Sequence, residues 1–243
     1  MKKVKHSSKL DLTHNFVEVA TLSSCDHPNI VKFYEAFTEN DGKKTDLWIT
    51  MEYLNGGTLK EAAVEYRFKD KHIAYFAREI LKGVQYLHKK QLIHRDLKPS
   101  NIMLDISGTV KIIDFGLVAD VSGGSRSGCV GTAYYIPPEM INKKPHSYPS
   151  DIWSIGVTLL ELLLGYPPYH PDALLCMYCT ATQGLIGLIP PTASEEATAF
   201  LKKCLEFKAA NRASAEVLLN EEWLCQEEVS ECISELNLFT HKK

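Results

Sequence analysis

The sequence predicts an α+β protein, and three observations carry that reading. Residues 31–37 and 46–52 alternate apolar and polar side chains as paired strands do, and Asn40-Asp41-Gly42 between them is a turn sequence. Ile73, Phe76, Ala77, Ile80, Leu81, Val84 and Leu87 recur at intervals of three and four, the spacing of an amphipathic helix. The most apolar run, residues 152–164, falls short of the roughly 20 residues that span a bilayer, so it reads as a buried helix.

The remaining elements follow in order. Lys2-Lys3-Val4 reads as the interior of a strand, and a helix is expected over 15–24, with Phe16, Val17, Ala20 and Leu22 as its apolar positions and Glu18 among them. Leu92-Ile93, Ile102-Met103-Leu104 and residues 110–113 are short apolar runs that read as strands supporting polar loops. Residues 118–129 are rich in Ser and Gly with few apolar positions, which predicts a mobile loop. The closing third reads as helices bearing Phe200, Leu201, Cys204, Leu205, Val217 and Leu218, and a last packed helix over 227–239 with Val229, Ile233 and Leu236. No internal repeat is present.

With 243 residues, 45% of them hydrophobic, the chain can bury a core as one large domain or two lobes. A net charge of −3 and a pI near 6.3 give no electrostatic reason to expect a nucleic-acid partner. No signal peptide or membrane span is expected, and a cytoplasmic location is. The seven cysteines form no disulfide framework, which fits a reducing compartment. Cys176 and Cys179 have CxxC spacing, but no second pair or histidine cluster accompanies them; they are expected to be buried, on a helix face shared with Leu175.

The chemistry-bearing stretch is His94-Arg95-Asp96-Leu97-Lys98-Pro99-Ser100-Asn101, with Asp114-Phe115-Gly116 beginning thirteen residues after Asn101. A carboxylate on a tight loop, here Asp96, can accept or orient a hydroxyl proton. Lys98 offers a point charge two residues on, and Asn101 and Asp114 offer the hard oxygen ligands that Mg²⁺ prefers. Phosphoryl transfer from Mg-ATP needs these three services: an aimed nucleophile, a held metal and neutralised charge.

Together with Pro137-Pro138-Glu139 further on, these motifs resemble the signatures of the eukaryotic protein kinases. The resemblance implies a bilobal kinase fold with an N-terminal β lobe and hinge over 1–54, a mainly helical C-terminal lobe over 55–223 and a helix or tail over 224–243. It implies ATP and Mg²⁺ as cofactors and a protein substrate as partner. Lys2 would grip the nucleotide phosphates and pair with Glu18, with Lys3 as the alternative lysine. Met51 would stand behind the purine, Glu52 and Leu54 would meet its edge through their backbone, and Met103 would complete the nucleotide site with Asp114. Catalysis would fall to Asp96, Lys98, Asn101 and Thr132, and metal binding to Asn101 and Asp114. Glu139 would form a buried ion pair with Arg212, and Asp151 would brace the catalytic loop.

The glycine-rich loop and two strands that precede the lysine strand in kinases have no counterpart here, so the β lobe is expected to be incomplete, either because the chain is an N-terminally truncated piece of a longer kinase or because its nucleotide site has lost its roof. That leaves a Ser/Thr protein kinase or, alternatively, a kinase-fold scaffold impaired in catalysis. Lys98 argues for Ser/Thr specificity. The stretches from Glu52 to Leu59, Val130 to Tyr135 and Met177 to Gly184 look like the Sterile group, nearest the Rac-activated (PAK-type) branch. Gly128 stands where those relatives have a phosphorylated threonine, so Ser127 or Ser125 is the expected target of an upstream kinase, its phosphate held by Arg95.

Overall fold

The computed structural model describes residues 1–225 except 7, 41, 43, 44 and 106. Strand β1 (Lys2–Lys5) leads into helix α1 (Lys9–Ser24), which begins six residues earlier than its apolar pattern indicates. The cause is a capping box: Ser8 Oγ accepts from the Asp11 amide at 3.1 Å and Asp11 returns the bond to the Ser8 amide at 3.0 Å. The inward face of α1 also differs from expectation. Phe16 is 73% exposed, whereas Asn15, Glu18, Thr21 and Leu22 are buried, because this helix faces a polar site rather than a purely apolar core.

Strands β2 (Phe33–Asn40) and β3 (Thr45–Met51) complete an antiparallel sheet of order β1-β3-β2, with Lys2 opposite Ile49 and Phe37 opposite Trp48. β2 starts two residues later than the alternation suggests, since the Val31 amide is drawn to the Ile112 carbonyl instead. The Gly42 amide donates to Asn40 Oδ1, fixing one side of the turn.

From residue 59 the chain turns helical. Helix α2 (Leu59–Glu65) opens with a second capping box, Thr58 with Glu61, and helix α3 (Asp70–Lys89) buries the apolar face read from its periodicity. Short strands β4 (Leu92–Ile93), β5 (Ile102–Leu104), β6 (Val110–Ile112) and β7 (Ala119–Asp120) follow, β5 pairing with β6 and β4 with β7. β7 lies inside the stretch expected to be a mobile loop. That stretch is further pinned where Arg126 and His146 exchange backbone hydrogen bonds of 2.8 and 2.9 Å.

Helices α4 (Pro138–Ile141), α5 (Pro149–Leu164), α6 (Ala173–Thr182), α7 (Glu195–Cys204), α8 (Ala215–Leu218) and α9 (Glu222–Cys225) close the described chain. α5 ends at Gly165, whose left-handed φ of 84° lets its amide reach the Glu161 carbonyl. α3 packs against β6, α5, α8 and α9, and Phe76, Phe200, Trp153 and Trp223 are fully buried. Burying each such ring stabilises the fold by about 1.5–3 kcal/mol.

Two smaller expectations are corrected. Leu175 does not share the buried face of Cys176 and Cys179 but is 44% exposed, and Val217 is 53% exposed, because only one side of each helix meets the core. The Cys176 thiol is pushed up to about 11 by burial, which makes it an inert packing group. The helix expected over 227–239 lies outside the described residues. No described helix is long and apolar enough to cross a membrane.

Candidate active site

The loop between β4 and β5 carries Asp96, and a second layer of structure aims it. Asp151, fully buried in the first turn of α5, accepts from the His94 and Arg95 amides at 2.9 Å each and pairs with His88 Nε2 at 2.9 Å. Burial would push the Asp151 carboxyl up, but His88 and the amides outweigh it and hold it below the ordinary aspartate value. The His94 imidazole, pushed down by burial, packs edge-on against Phe115 and bonds the Ile113 carbonyl at 3.2 Å. Arg95 adopts a left-handed φ of 68° and donates through Nε to the Leu117 carbonyl at 2.7 Å.

Four donors converge on Asp96, which is 8% exposed. Oδ1 accepts from the Thr132 amide at 3.0 Å and hydroxyl at 2.8 Å; Oδ2 accepts from Lys98 Nζ at 2.6 Å and Asn101 Nδ2 at 3.0 Å. Lys98 also donates to Thr132 Oγ1 at 2.6 Å, so carboxylate, ammonium and hydroxyl close a triangle. Asn101 Nδ2 bonds the Asp96 carbonyl as well, at 2.9 Å, which commits both its N–H groups and leaves Oδ1 for a ligand. Thr132 can approach only because its predecessor is Gly131: with φ at 107°, a Cβ there would lie 2.6 Å from the Arg95 carbonyl oxygen.

The second cluster spans the sheet and the helical region. Lys2 Nζ bonds Glu18 Oε1 at 2.6 Å and Asp114 Oδ1 at 3.0 Å. Burial pulls the Lys2 ammonium down, but the two carboxylates overcome it and raise its pKa above the ordinary lysine value. For Asp114 the signs reverse: burial raises, and Lys2 outweighs it, so the carboxyl stays below the usual aspartate value. Asp114 itself has a left-handed φ of 61°. Lys3 points elsewhere, to Asp46 at 3.0 Å, so the neighbouring lysine is separated from this cluster.

A cleft of about 320 Å³ joins these groups. Lys2, Glu18, Met51, Glu52, Leu54, Asn101, Met103 and Asp114 all line it, together with Met1 and the apolar walls Leu22, Val31 and Ile113. Asp96, Lys98 and Thr132 stand outside this lining and connect to it through Asn101. The walls Leu22, Val31 and Ile113 escaped the sequence reading. Leu22 was detectable in principle, since it follows Glu18 by one helical turn and shares its face.

The segment after Thr132 is fixed from below. Glu139 and Arg212 form a bidentate buried pair at 2.9 and 3.1 Å, with Arg212 also bonding the Pro149 carbonyl at 2.7 Å and the Glu206 carbonyl at 2.9 Å. Tyr135 donates its hydroxyl to Glu161, and burial raises the pKa of both groups. Ser125, Ser127 and Gly128 are exposed, Gly128 with φ at 102°.

Comparison with known proteins agrees with this geometry. The family model for the protein kinase domain matches residues 1–224. The probable serine/threonine-protein kinase mkcB of Dictyostelium discoideum is 43% identical over 225 residues, covering 92% of this chain and 31% of that protein. Its relative mkcC is 40% identical, covering 92% of this chain and 25% of its own length. Serine/threonine-protein kinase STE20 of Candida glabrata is 36% identical over 213 residues, covering 86% of this chain and 23% of that protein. The chain thus spans about a third or less of these relatives. With the motifs, their spacing and the α+β architecture in agreement, the chain belongs to the protein kinase family.

Proposed function

We propose that this chain transfers the γ-phosphoryl group of ATP to serine or threonine hydroxyls of proteins, with Mg²⁺ as the metal. The observation that carries the reading is the Asp96 cluster, one carboxylate oriented by four donors beside a cleft lined by Lys2, Asn101 and Asp114. Asn101 Oδ1 and the Asp114 carboxylate suit Mg²⁺ in hardness and charge. Among the described residues no group of three or more His, Cys, Asp or Glu could hold a metal by itself, which suits an ion that completes its shell with phosphate oxygens and water. When bound, Mg-ATP supplies the phosphoryl group and a divalent charge to neutralise it.

The protein's own groups then have distinct tasks. Lys2, held between Glu18 and Asp114, is placed to attract nucleotide phosphates. Met51 and Met103 offer apolar contact to the base. The Glu52 amide is already committed to the Lys32 carbonyl at 2.9 Å, so an edge contact at Glu52 falls to its carbonyl, with Leu54 beyond. Asp96 orients the substrate hydroxyl and accepts its proton. All four acceptor directions of Asp96 are in use, so the entering hydroxyl displaces one donor. Lys98 or the Thr132 hydroxyl can yield, because each keeps the other as a partner.

Exposed Ser127 and Ser125 remain the candidate targets of an upstream kinase. Arg95 and Arg126 both border one groove, Arg126 helps to lower the Arg95 pKa after burial, and an added phosphate would relieve that repulsion. The cysteines among the described residues are free thiols, as a reducing compartment such as the cytoplasm would keep them.

The test is calorimetric titration of the chain with ATP in the presence and absence of Mg²⁺, with Asp114→Ala as control, followed by phosphate transfer to a serine peptide. Saturable Mg²⁺-dependent binding and transfer that Asp96→Asn abolishes are expected. Binding without transfer by the unsubstituted chain would overturn the catalytic reading and leave a nucleotide-binding scaffold.

A further inference from the structure

We propose that Lys111 is a positioning residue that ties the hinge to the strand leading to Asp114, and so sets the spacing between the two ends of the nucleotide cleft. The inference rests on the nucleotide reading above. Lys111 lies in β6, three residues before Asp114, and its Nζ donates to Glu52 Oε1 at 2.9 Å. The same oxygen accepts from the Lys32 amide at 2.6 Å, while the Glu52 amide returns a bond to the Lys32 carbonyl. One carboxylate oxygen therefore gathers the hinge, the approach to β2, and β6.

The pair is shielded. The Lys111 side chain is 12% exposed and that of Glu52 20%, unlike the open surface pairs that contribute little. β6 is itself a junction: Ile112 exchanges backbone bonds with Asn29 and Val31, and the Ile113 amide donates to the Asn101 carbonyl at 3.0 Å. Met103, a wall of the cleft, sits directly opposite Lys111 in the β5–β6 ladder. A hinge tethered to this strand holds the base end of the cleft in register with Asn101 and Asp114 at its phosphate end. Without the ammonium, Glu52 keeps its backbone bonds but loses the only side-chain link to β6 found among the described residues.

The experiment measures steady-state kinetics and calorimetric Mg-ATP binding on the full chain. Lys111→Met is expected to raise KM and Kd for ATP roughly tenfold, the worth of one charge-assisted hydrogen bond, with kcat at saturating ATP and the peptide KM unchanged. Lys111→Arg should restore most of the affinity. Glu52→Gln, which keeps an acceptor oxygen but loses the charge, should show part of the defect, and the double variant should be no worse than Lys111→Met alone. Should Lys111→Met fail to fold, Lys111→Gln decides by the same readout, since Glu52 itself lines the cleft. Unaltered ATP affinity in the substituted chain while the unsubstituted chain binds would overturn the strut and spare the nucleotide reading. A fall in kcat together with raised KM for both substrates would overturn it too, in favour of a merely structural role. Absence of ATP binding by the unsubstituted chain would overturn both.

Discussion

The two halves of the site are held by different physics. Asp96 is positioned by buried, reciprocal hydrogen bonds within the helical part: Asp151 fixes the backbone of His94 and Arg95, and Thr132 and Asn101 fix the carboxylate. Lys2 is positioned across the cleft by two carboxylates, one of them on a side chain 45% exposed. The first arrangement leaves few alternatives, since each buried polar group would be stranded by movement. The second can lengthen or re-pair at small cost, which suits the end of a cleft that must admit a ligand. On the proposed function, the rigid half is the one that would aim the hydroxyl, and the adjustable half the one that would admit the phosphates.

Substitutions can break or sharpen that contrast. The largest effect is expected from Asp96→Asn, which keeps the shape but weakens proton acceptance: phosphate transfer should fall about 10²–10⁴-fold with circular dichroism retained, while the melting temperature falls because the new amide N–H2 meets two donors where an oxygen accepted them. Asp151→Ala should do the opposite first. It strands two buried amides and a histidine and should cost about 3–5 kcal/mol in urea unfolding, with activity lost as a consequence. A destabilisation under about 1 kcal/mol there would refute the division of labour.

Acid titration tests the same rigid half. His94 and Asp151 both have folded pKa values lowered below their ordinary ones. The unfolded chain therefore takes up protons first as pH falls. His94's contribution is full above its unfolded value near 6.5 and is lost as pH falls towards its lower folded value, at up to about 1.4 kcal/mol per pH unit. Asp151 adds a second loss that begins near its unfolded value of 3.8. Urea midpoints that stay flat from pH 7 to 5 would contradict this.

Smaller changes belong to the adjustable half. Glu18→Gln leaves Lys2 its Asp114 partner, so stability should change by under about 1 kcal/mol. ATP binding by calorimetry should nonetheless weaken several-fold, because Lys2 loses its nearer anchor. Phe16→Ser should be nearly silent, within about 0.5 kcal/mol, given that side chain's exposure.

Much of this was legible along the chain. The α3 periodicity, the order of the two signature motifs and the polar groups of the cleft, with Met51, Leu54 and Met103, could be named from the sequence because local spacing and motif resemblance specify them, whereas the apolar walls Leu22, Val31 and Ile113 escape that reading. The start of α1 is not legible in its apolar pattern, which begins later, although Ser8 and Asp11 stand at capping-box spacing. Phe16 illustrates a different failure: an apolar side chain at helical spacing reads as core, yet α1 turns Glu18 and Asn15 inward because the carboxylate must meet Lys2.

What the sequence determined by itself was therefore most of the set of parts: the longer helices and strands, which groups are capable of chemistry, and the family to which they belong. Bonds between residues three or four apart need little chain closure, so their partners are written beside them. The tertiary structure alone decided that Lys2 also reaches Asp114, that Lys111 reaches the hinge carboxylate, and that four donors share Asp96. Those choices join residues as much as 112 positions apart, and the end of a long side chain finds its partner only when the packed core has set the distance.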